Sequence, residues 1–357
     1  MTVRVRPSLA SLPRYLPGKP ASLGGSYKLS SNENPYPPLP GVIEATAKAS
    51  SLMNRYPDMA NSAIAAAVAN RLSVDHAQLA FGAGSVAVLY SLLQAVCEPG
   101  DEVIFAWRSF EAYPIAVQLT GATPVPVPLA AGAVHDLDAM RAAVSGMTRV
   151  ILLCSPNNPT GPALSNDAVI DFVDSVPDDI LIVLDEAYVE FITDPQALRG
   201  LEVLGGRSNI AVLRTFSKAY GLAGLRIGYG VTDPELAAAV RAASLPFGVS
   251  ILASAAAIAS LAAEEELLAR VADLTKARGE LVQSLLDLGF DVPDAQGNFL
   301  WLPAGPLAAD YAKAFAAGGI AVRPFLAGDA WDGIRITVGE REANQRVIAI
   351  AGTLPRS

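Results

Sequence analysis

From about residue 78 onward, apolar residues gather in short continuous runs separated by stretches of helical periodicity. The runs occupy residues 79–81, 103–105, 124–129, 150–154, 180–184, 210–213 and 227–231. An apolar run without polar alternation suits a strand covered on both faces, which is the habit of parallel sheets. Strand and helix patterns alternate, so the chain predicts a doubly wound α/β sheet. In such sheets ligands bind beyond the carboxyl ends of the strands. The polar residues that follow each run are therefore the ones to weigh.

The flanking patterns differ. Residues 1–40 are rich in Pro and Gly and read as an extended arm. A helical stretch follows over 41–52 and is broken by Arg55-Tyr56-Pro57-Asp58. Beyond a second break at Leu245-Pro246-Phe247-Gly248, an Ala/Leu/Glu helical region covers about 251–288. Short apolar runs then recur at 299–302, 320–322 and 334–338 around one further helix. A length of 357 residues agrees with two domains, at roughly 100–200 residues each. The expected division is an arm at 1–40 packing with the small domain, a large domain at 41–265 and a small α/β domain at 266–357.

Composition narrows the chemistry. The net charge of −9 disfavours nucleic acid or an anionic membrane as partner, since both reward a basic face. There are two cysteines, Cys97 and Cys154, and two histidines, His76 and His135, with no CxxC or HExxH spacing, which argues against a zinc site. A hydrolytic triad would have to use one of those isolated histidines. The N-terminus lacks the apolar stretch of a signal peptide, and the longest greasy segment, 249–263, is Ala/Ser-rich and ends in three glutamates. A cytoplasmic protein is expected. Lysine occurs six times, so each setting can be inspected.

Five run ends carry unusual groups. Phe81-Gly82-Ala83-Gly84-Ser85 precedes an apolar helical run, and a helix N-terminus after a glycine turn suits an anion. A plain tight turn accounts for the same residues. The string also fits a dinucleotide fingerprint, but that reading needs an acidic residue closing the next strand, which ends Ala106-Trp107-Arg108. Asn157-Asn158-Pro159-Thr160-Gly161 fixes a turn that holds Asn158 at the sheet edge. Asp185 closes an apolar run, either as a helix cap or as a carboxylate that needs a cation or donors. Lys218 follows a buried strand between apolar flanks, where a lysine can have a lowered pKa and act as an amine nucleophile. Ser217 and Arg226 near it suit a phosphate. In Ile334-Arg335-Ile336-Thr337-Val338, Arg335 faces opposite the apolar positions, toward solvent or toward a carboxylate it could fork.

In this order the motifs resemble fold-type I pyridoxal-phosphate aminotransferases over about residues 30–340. Ser31-Asn32-Glu33-Asn34-Pro35, Arg55-Tyr56-Pro57-Asp58, the segment 217–226 and Arg335-Ile336-Thr337-Val338-Gly339 look like the histidinol-phosphate aminotransferase branch. Two segments depart from that branch: the phosphate turn reads Gly82-Ala83-Gly84-Ser85, and Trp107-Arg108-Ser109-Phe110-Glu111 looks like the related aromatic amino acid (phenylalanine) aminotransferases. The resemblance implies a mostly parallel seven-stranded sheet with a small α/β domain, and pyridoxal 5′-phosphate held through an aldimine on Lys218. It implies that Asp185 pairs with the ring nitrogen, that Asn158 and Tyr188 bond the ring oxygen, and that Phe110 stacks on the ring. Gly82, Ala83, Gly84, Ser85, Ser217 and Arg226 would hold the phosphate, joined by Tyr56 across a homodimer interface. Arg335 would grip the substrate carboxylate with Asn34 and Asn158 nearby, and Tyr15 and Arg323 would face the substrate side chain. The implied reaction is ping-pong amino transfer between an aromatic amino acid and 2-oxoglutarate; the alternative donor is histidinol phosphate. Rival readings are a nicotinamide dehydrogenase built on the Gly82 turn and a non-catalytic cofactor-binding regulator. The latter would need a basic DNA-binding segment.

Overall fold

The computed structural model describes residues 3, 6, 9, 12, 18 and 26–355. All seven apolar runs form one sheet: β2 (Leu79–Gly82), β3 (Glu102–Trp107), β4 (Thr123–Pro128), β5 (Thr148–Cys154), β6 (Leu181–Asp185), β7 (Ile210–Thr215) and β8 (Gly228–Thr232). Their spatial order is β2-β8-β7-β6-β5-β3-β4. Only β8 runs against its neighbours; the other pairings, from β7 through β4, are parallel. Strands β5 and β6 are buried almost throughout, as their unbroken apolar runs require, because helices cover both faces. Three prolines fall in β4, which lies at the sheet edge where missing N–H groups cost nothing.

A second, three-stranded sheet has the order β11 (Arg323–Phe325), β12 (Gly333–Thr337), β9 (Phe299–Pro303). The arm meets this unit. Strand β1 (Tyr27–Lys28) pairs in parallel with β10 (Ile320–Ala321), and Leu29 joins the core built from Leu300, Ile334, Ile336 and Phe315. The expected helical region at 251–288 is two helices, Ile251–Ala262 and Glu264–Asp287. The break falls at Ala263, and Glu264, Glu265 and Glu266 fill the first turn of the second helix, where the helix dipole favours negative charge. That second helix serves both cores: Leu267, Val271 and Leu274 pack with the large sheet, Leu281 and Leu285 with the small one. Among the described residues no helix is long and apolar enough to cross a membrane, and no cluster of three or more His, Cys, Asp or Glu could hold a metal.

Candidate active site

The carboxyl ends of β5, β6 and β7 lie side by side, with Cys154 opposite Asp185 and Asp185 opposite Leu213 in register. Above them is a cavity of about 460 Å³, lined among others by Gly84, Ser85, Phe110, Asn158, Asp185, Tyr188, Ser217, Lys218, Arg226, Arg323 and Arg335. Residues from both sheets and from the arm thus meet in one concavity, the usual form of a small-molecule site.

Lys218 Nζ donates to the carbonyls of Ser31 and Asn32, each at 3.2 Å, and lies 5.7 Å from the Tyr188 ring centroid. Burial, reinforced by the nearby Arg335 charge, lowers its pKa to about 7, so a large share of the amine is neutral and nucleophilic near neutral pH. Asp185 is buried and caps no helix. Its Oδ2 accepts from the Tyr113 hydroxyl at 2.8 Å, while Oδ1 has no partner. Burial raises the Asp185 pKa to about 6, and the Tyr113 hydrogen bond opposes the rise. A buried carboxylate oxygen left without a donor is costly, so this position calls for a protonated ligand atom.

The anion end is built differently. Gly84, at φ +84°, is the N-cap of the helix Ser85–Val96, and a Cβ there would stand 2.5 Å from Arg226 Nη2. Gly228 is equally constrained, because a Cβ would lie 2.2 Å from the Ser85 nitrogen. Arg226 Nη1 donates to Ser217 Oγ at 3.2 Å and Nη2 to the Ala83 carbonyl at 3.2 Å. A guanidinium, a serine hydroxyl and a helix N-terminus converge there, a donor set suited to a phosphate. These residues fit pyridoxal 5′-phosphate: an amine for its aldehyde, a carboxylate for its ring nitrogen and a cradle for its phosphate.

Two adjacent asparagines divide their labour. Asn157 is wholly engaged with its surroundings: Ser109 Oγ donates to it at 2.7 Å, His135 Nε2 lies 3.2 Å away, and its amide reaches the Arg108 carbonyl and Thr160 Oγ1. Burial lowers the His135 pKa to about 4, so that ring is neutral. Asn158 instead faces the cavity and accepts from Arg335 Nη1 at 2.5 Å; Arg335 Nη2 donates to the Ser30 carbonyl at 2.8 Å.

Some expected residues stand elsewhere. Asn34 is absent from the cavity lining, because its amide is spent on the Ala219 carbonyl at 2.9 Å. Asn32 is the arm residue that reaches inside; it adopts φ 51°, and its amide donates to the Tyr188 hydroxyl at 2.9 Å. Gly82 and Ala83 shape the turn without lining the cavity. Tyr56 is exposed, its ring 4.8 Å from that of Phe247. Tyr15 lies outside the described residues. Tyr113 was not among the expected site residues, and Glu111 entered only as part of the Trp107–Glu111 string. Tyr113 carried a signal, since it shares a buried helical face with Ala116 and Val117, where a hydroxyl needs a partner.

Residues 26–350 match the family of class I and II aminotransferases. This chain belongs to that family. It is an aminotransferase, built on the fold-type I scaffold that the motif order suggested. It is 53% identical over 343 residues to an aromatic amino acid aminotransferase of Streptomyces avermitilis, covering 96% of this chain and 94% of that one. It is 51% identical to the protein of the same description in Streptomyces coelicolor, over 98% of this chain and 96% of the relative. Among solved structures, the histidinol-phosphate aminotransferase of Sinorhizobium meliloti in complex with pyridoxal-5′-phosphate superposes with a TM-score of 0.88 at 30% identity, covering 99% of this chain and 97% of that chain.

Proposed function

We propose that this aminotransferase uses pyridoxal 5′-phosphate to move an amino group from an aromatic amino acid to 2-oxoglutarate, working as a homodimer. The observation that carries the reading is the pairing of Lys218 with the half-satisfied, buried Asp185 in one cavity. The description shared by relatives at about half identity supports the aromatic donor.

When bound, the cofactor supplies an electrophilic aldehyde carbon and a ring that accepts the electron pair left by the substrate Cα proton. Lys218 would supply the amine that holds the cofactor and would move the substrate Cα proton. Its pKa of about 7 suits both duties near neutral pH. Asp185 would hold a proton on the ring nitrogen by charge. Tyr113 keeps Asp185 ionised and fixed by donating to Oδ2. Asn158 and Tyr188 would bond the ring oxygen, Phe110 would stack on the ring, and Gly84, Ser85, Ser217 and Arg226 would hold the phosphate. Arg335, oriented by Asn158 and Ser30, receives the substrate carboxylate. Exposed Met53, Tyr56, Met59, Leu245 and Phe247 supply apolar surface for the dimer contact that would bring Tyr56 to the partner's phosphate site.

Borohydride reduction followed by peptide mapping tests the lysine. A pyridoxyl group on Lys218 is expected, and its absence there rejects the assignment. Steady-state kinetics on phenylalanine, tyrosine and histidinol phosphate test the donor. The second reading, histidinol phosphate, has the solved structure at 30% identity in its favour. A kcat/KM higher for histidinol phosphate by orders of magnitude would establish it instead.

A further inference from the structure

Three guanidinium groups surround one ring. Strands β11 and β12 pair antiparallel with Arg323 directly opposite Arg335, and Phe325 lies two residues beyond Arg323 on the same face. The guanidinium carbons of Arg323, Arg108 and Arg335 stand 5.4, 5.9 and 5.9 Å from the Phe325 ring centroid. Crowding three like charges in a site this enclosed is unfavourable unless counter-charges join them.

Two of the three donate to a carboxylate. Arg108 Nη2 donates to Asp329 Oδ2 at 3.1 Å, and Arg323 Nη2 donates to Glu111 Oε2 at 2.6 Å. Arg335 gives its two terminal nitrogens to the Asn158 amide oxygen and the Ser30 carbonyl. Glu111, Arg323 and Arg335 all line the cavity, beside Tyr90, Ile115 and Phe325. Glu111 also stands at the N-terminus of the helix Ala112–Thr120.

We infer that Glu111 is a specificity-determining residue: it cancels the Arg323 charge at the side-chain end of the cavity, leaving Arg335 to take the substrate carboxylate and the far end to take an uncharged ring. This rests on the aromatic-donor reading of the site. A donor with a phosphate or second carboxylate at that end must displace Glu111 from Arg323, and leaving that half-buried carboxylate without its cation weakens binding. The same competition governs the second carboxylate of the 2-oxo acid acceptor, so Glu111 sets the balance between the two half-reactions.

The test uses cofactor-loaded enzyme and two unreactive acids, 3-phenylpropionate and glutarate, titrated by the change in cofactor absorbance. In Glu111→Gln the ratio of dissociation constants should shift toward glutarate by fivefold or more. In Glu111→Gln with Arg323→Gln it should return to within threefold of wild type. A shift under fivefold in the single variant, or one that persists in the double, overturns the inference. Should Glu111→Gln fail to fold by circular dichroism, Arg323→Gln replaces it. There the unpaired Glu111 should move the ratio fivefold or more against glutarate, and a smaller movement overturns the inference. Wild-type enzyme that transaminates histidinol phosphate and ignores phenylalanine would refute the aromatic reading, while the variant ratios still judge Glu111.

Discussion

At the sheet end of the cavity, Asp185, Ser217, Lys218 and Asn158 each sit at the end of a buried strand or within four residues after it. On the wall supplied by the second sheet, Arg323 and Arg335 sit within strands, and their alignment comes from the β11–β12 register. The first group is placed by a local rule: an apolar run ends, and the next polar residue emerges at the sheet edge. The second is placed by pairing between segments and by the carboxylates that loops and helices bring to it. The cofactor-facing end is therefore expected to respond to single substitutions as an all-or-none device. The substrate-facing end should respond by changing what it prefers.

The sharpest break of that contrast is Lys218→Ala. It should keep the far-ultraviolet circular dichroism of wild type and lower kcat/KM with phenylalanine by about 10⁴-fold or more. A loss of only tenfold would move the lysine out of the chemistry. Arg335→Gln comes next. It should cost about 10²–10³-fold in kcat/KM, because a charge-paired carboxylate contact is worth about 2–5 kcal/mol. The loss should be larger for amino acids than for donors without an α-carboxylate, and equal losses would contradict its role.

Tyr113→Phe tests whether the cofactor end has graded parts. Burial raises the Asp185 pKa to about 6, and the Tyr113 hydroxyl holds it below where burial alone would leave it. Without that donor the carboxylate forms only at higher pH. The acid limb of the kcat/KM profile should therefore move up by about one pH unit, the equivalent of a hydrogen bond of roughly 1.5 kcal/mol to a charged group. An unmoved limb would leave Tyr113 a packing residue.

The smallest effect concerns stability of the cofactor-free protein. The folded pKa of Lys218, about 7, lies below the value of an unfolded lysine. Between the two the unfolded chain binds more protons, so this residue makes stability rise with pH through that window and costs stability below it. Lys218→Met should abolish that component and stabilise the cofactor-free protein by about 1–3 kcal/mol near pH 7, as read from urea midpoints. The gain should vanish by about pH 10.5. A pH-independent difference between the two proteins would contradict the lowered pKa.

Much of this molecule was legible in its sequence. The seven apolar runs became the seven strands, and the polar residues closing four of them line the cavity. The arm was harder. Asn32 and Asn34 lie in one polar string, and only the backbone at φ 51° decides that Asn32 faces Tyr188 while Asn34 turns to the Ala219 carbonyl. The break at Ala263 was also hidden, because the Ala-rich and Glu-rich segments read as one helical stretch.

What the sequence determined by itself was the placement of single groups: Lys218, Asp185 and Asn158 at strand ends, Gly84 before a helix. Burial of continuous apolar runs leaves those positions no other place to go. What only the tertiary structure decided was which groups pair. Tyr113 meets Asp185 across 72 residues, Arg335 meets Asn158 across 177, and Glu111 meets Arg323 across 212. Hydrophobic patterning fixes which face of an element is buried, whereas a hydrogen bond between distant segments depends on register and on the docking of one sheet against another. The charge each arginine presents to a substrate is therefore a property of the folded chain.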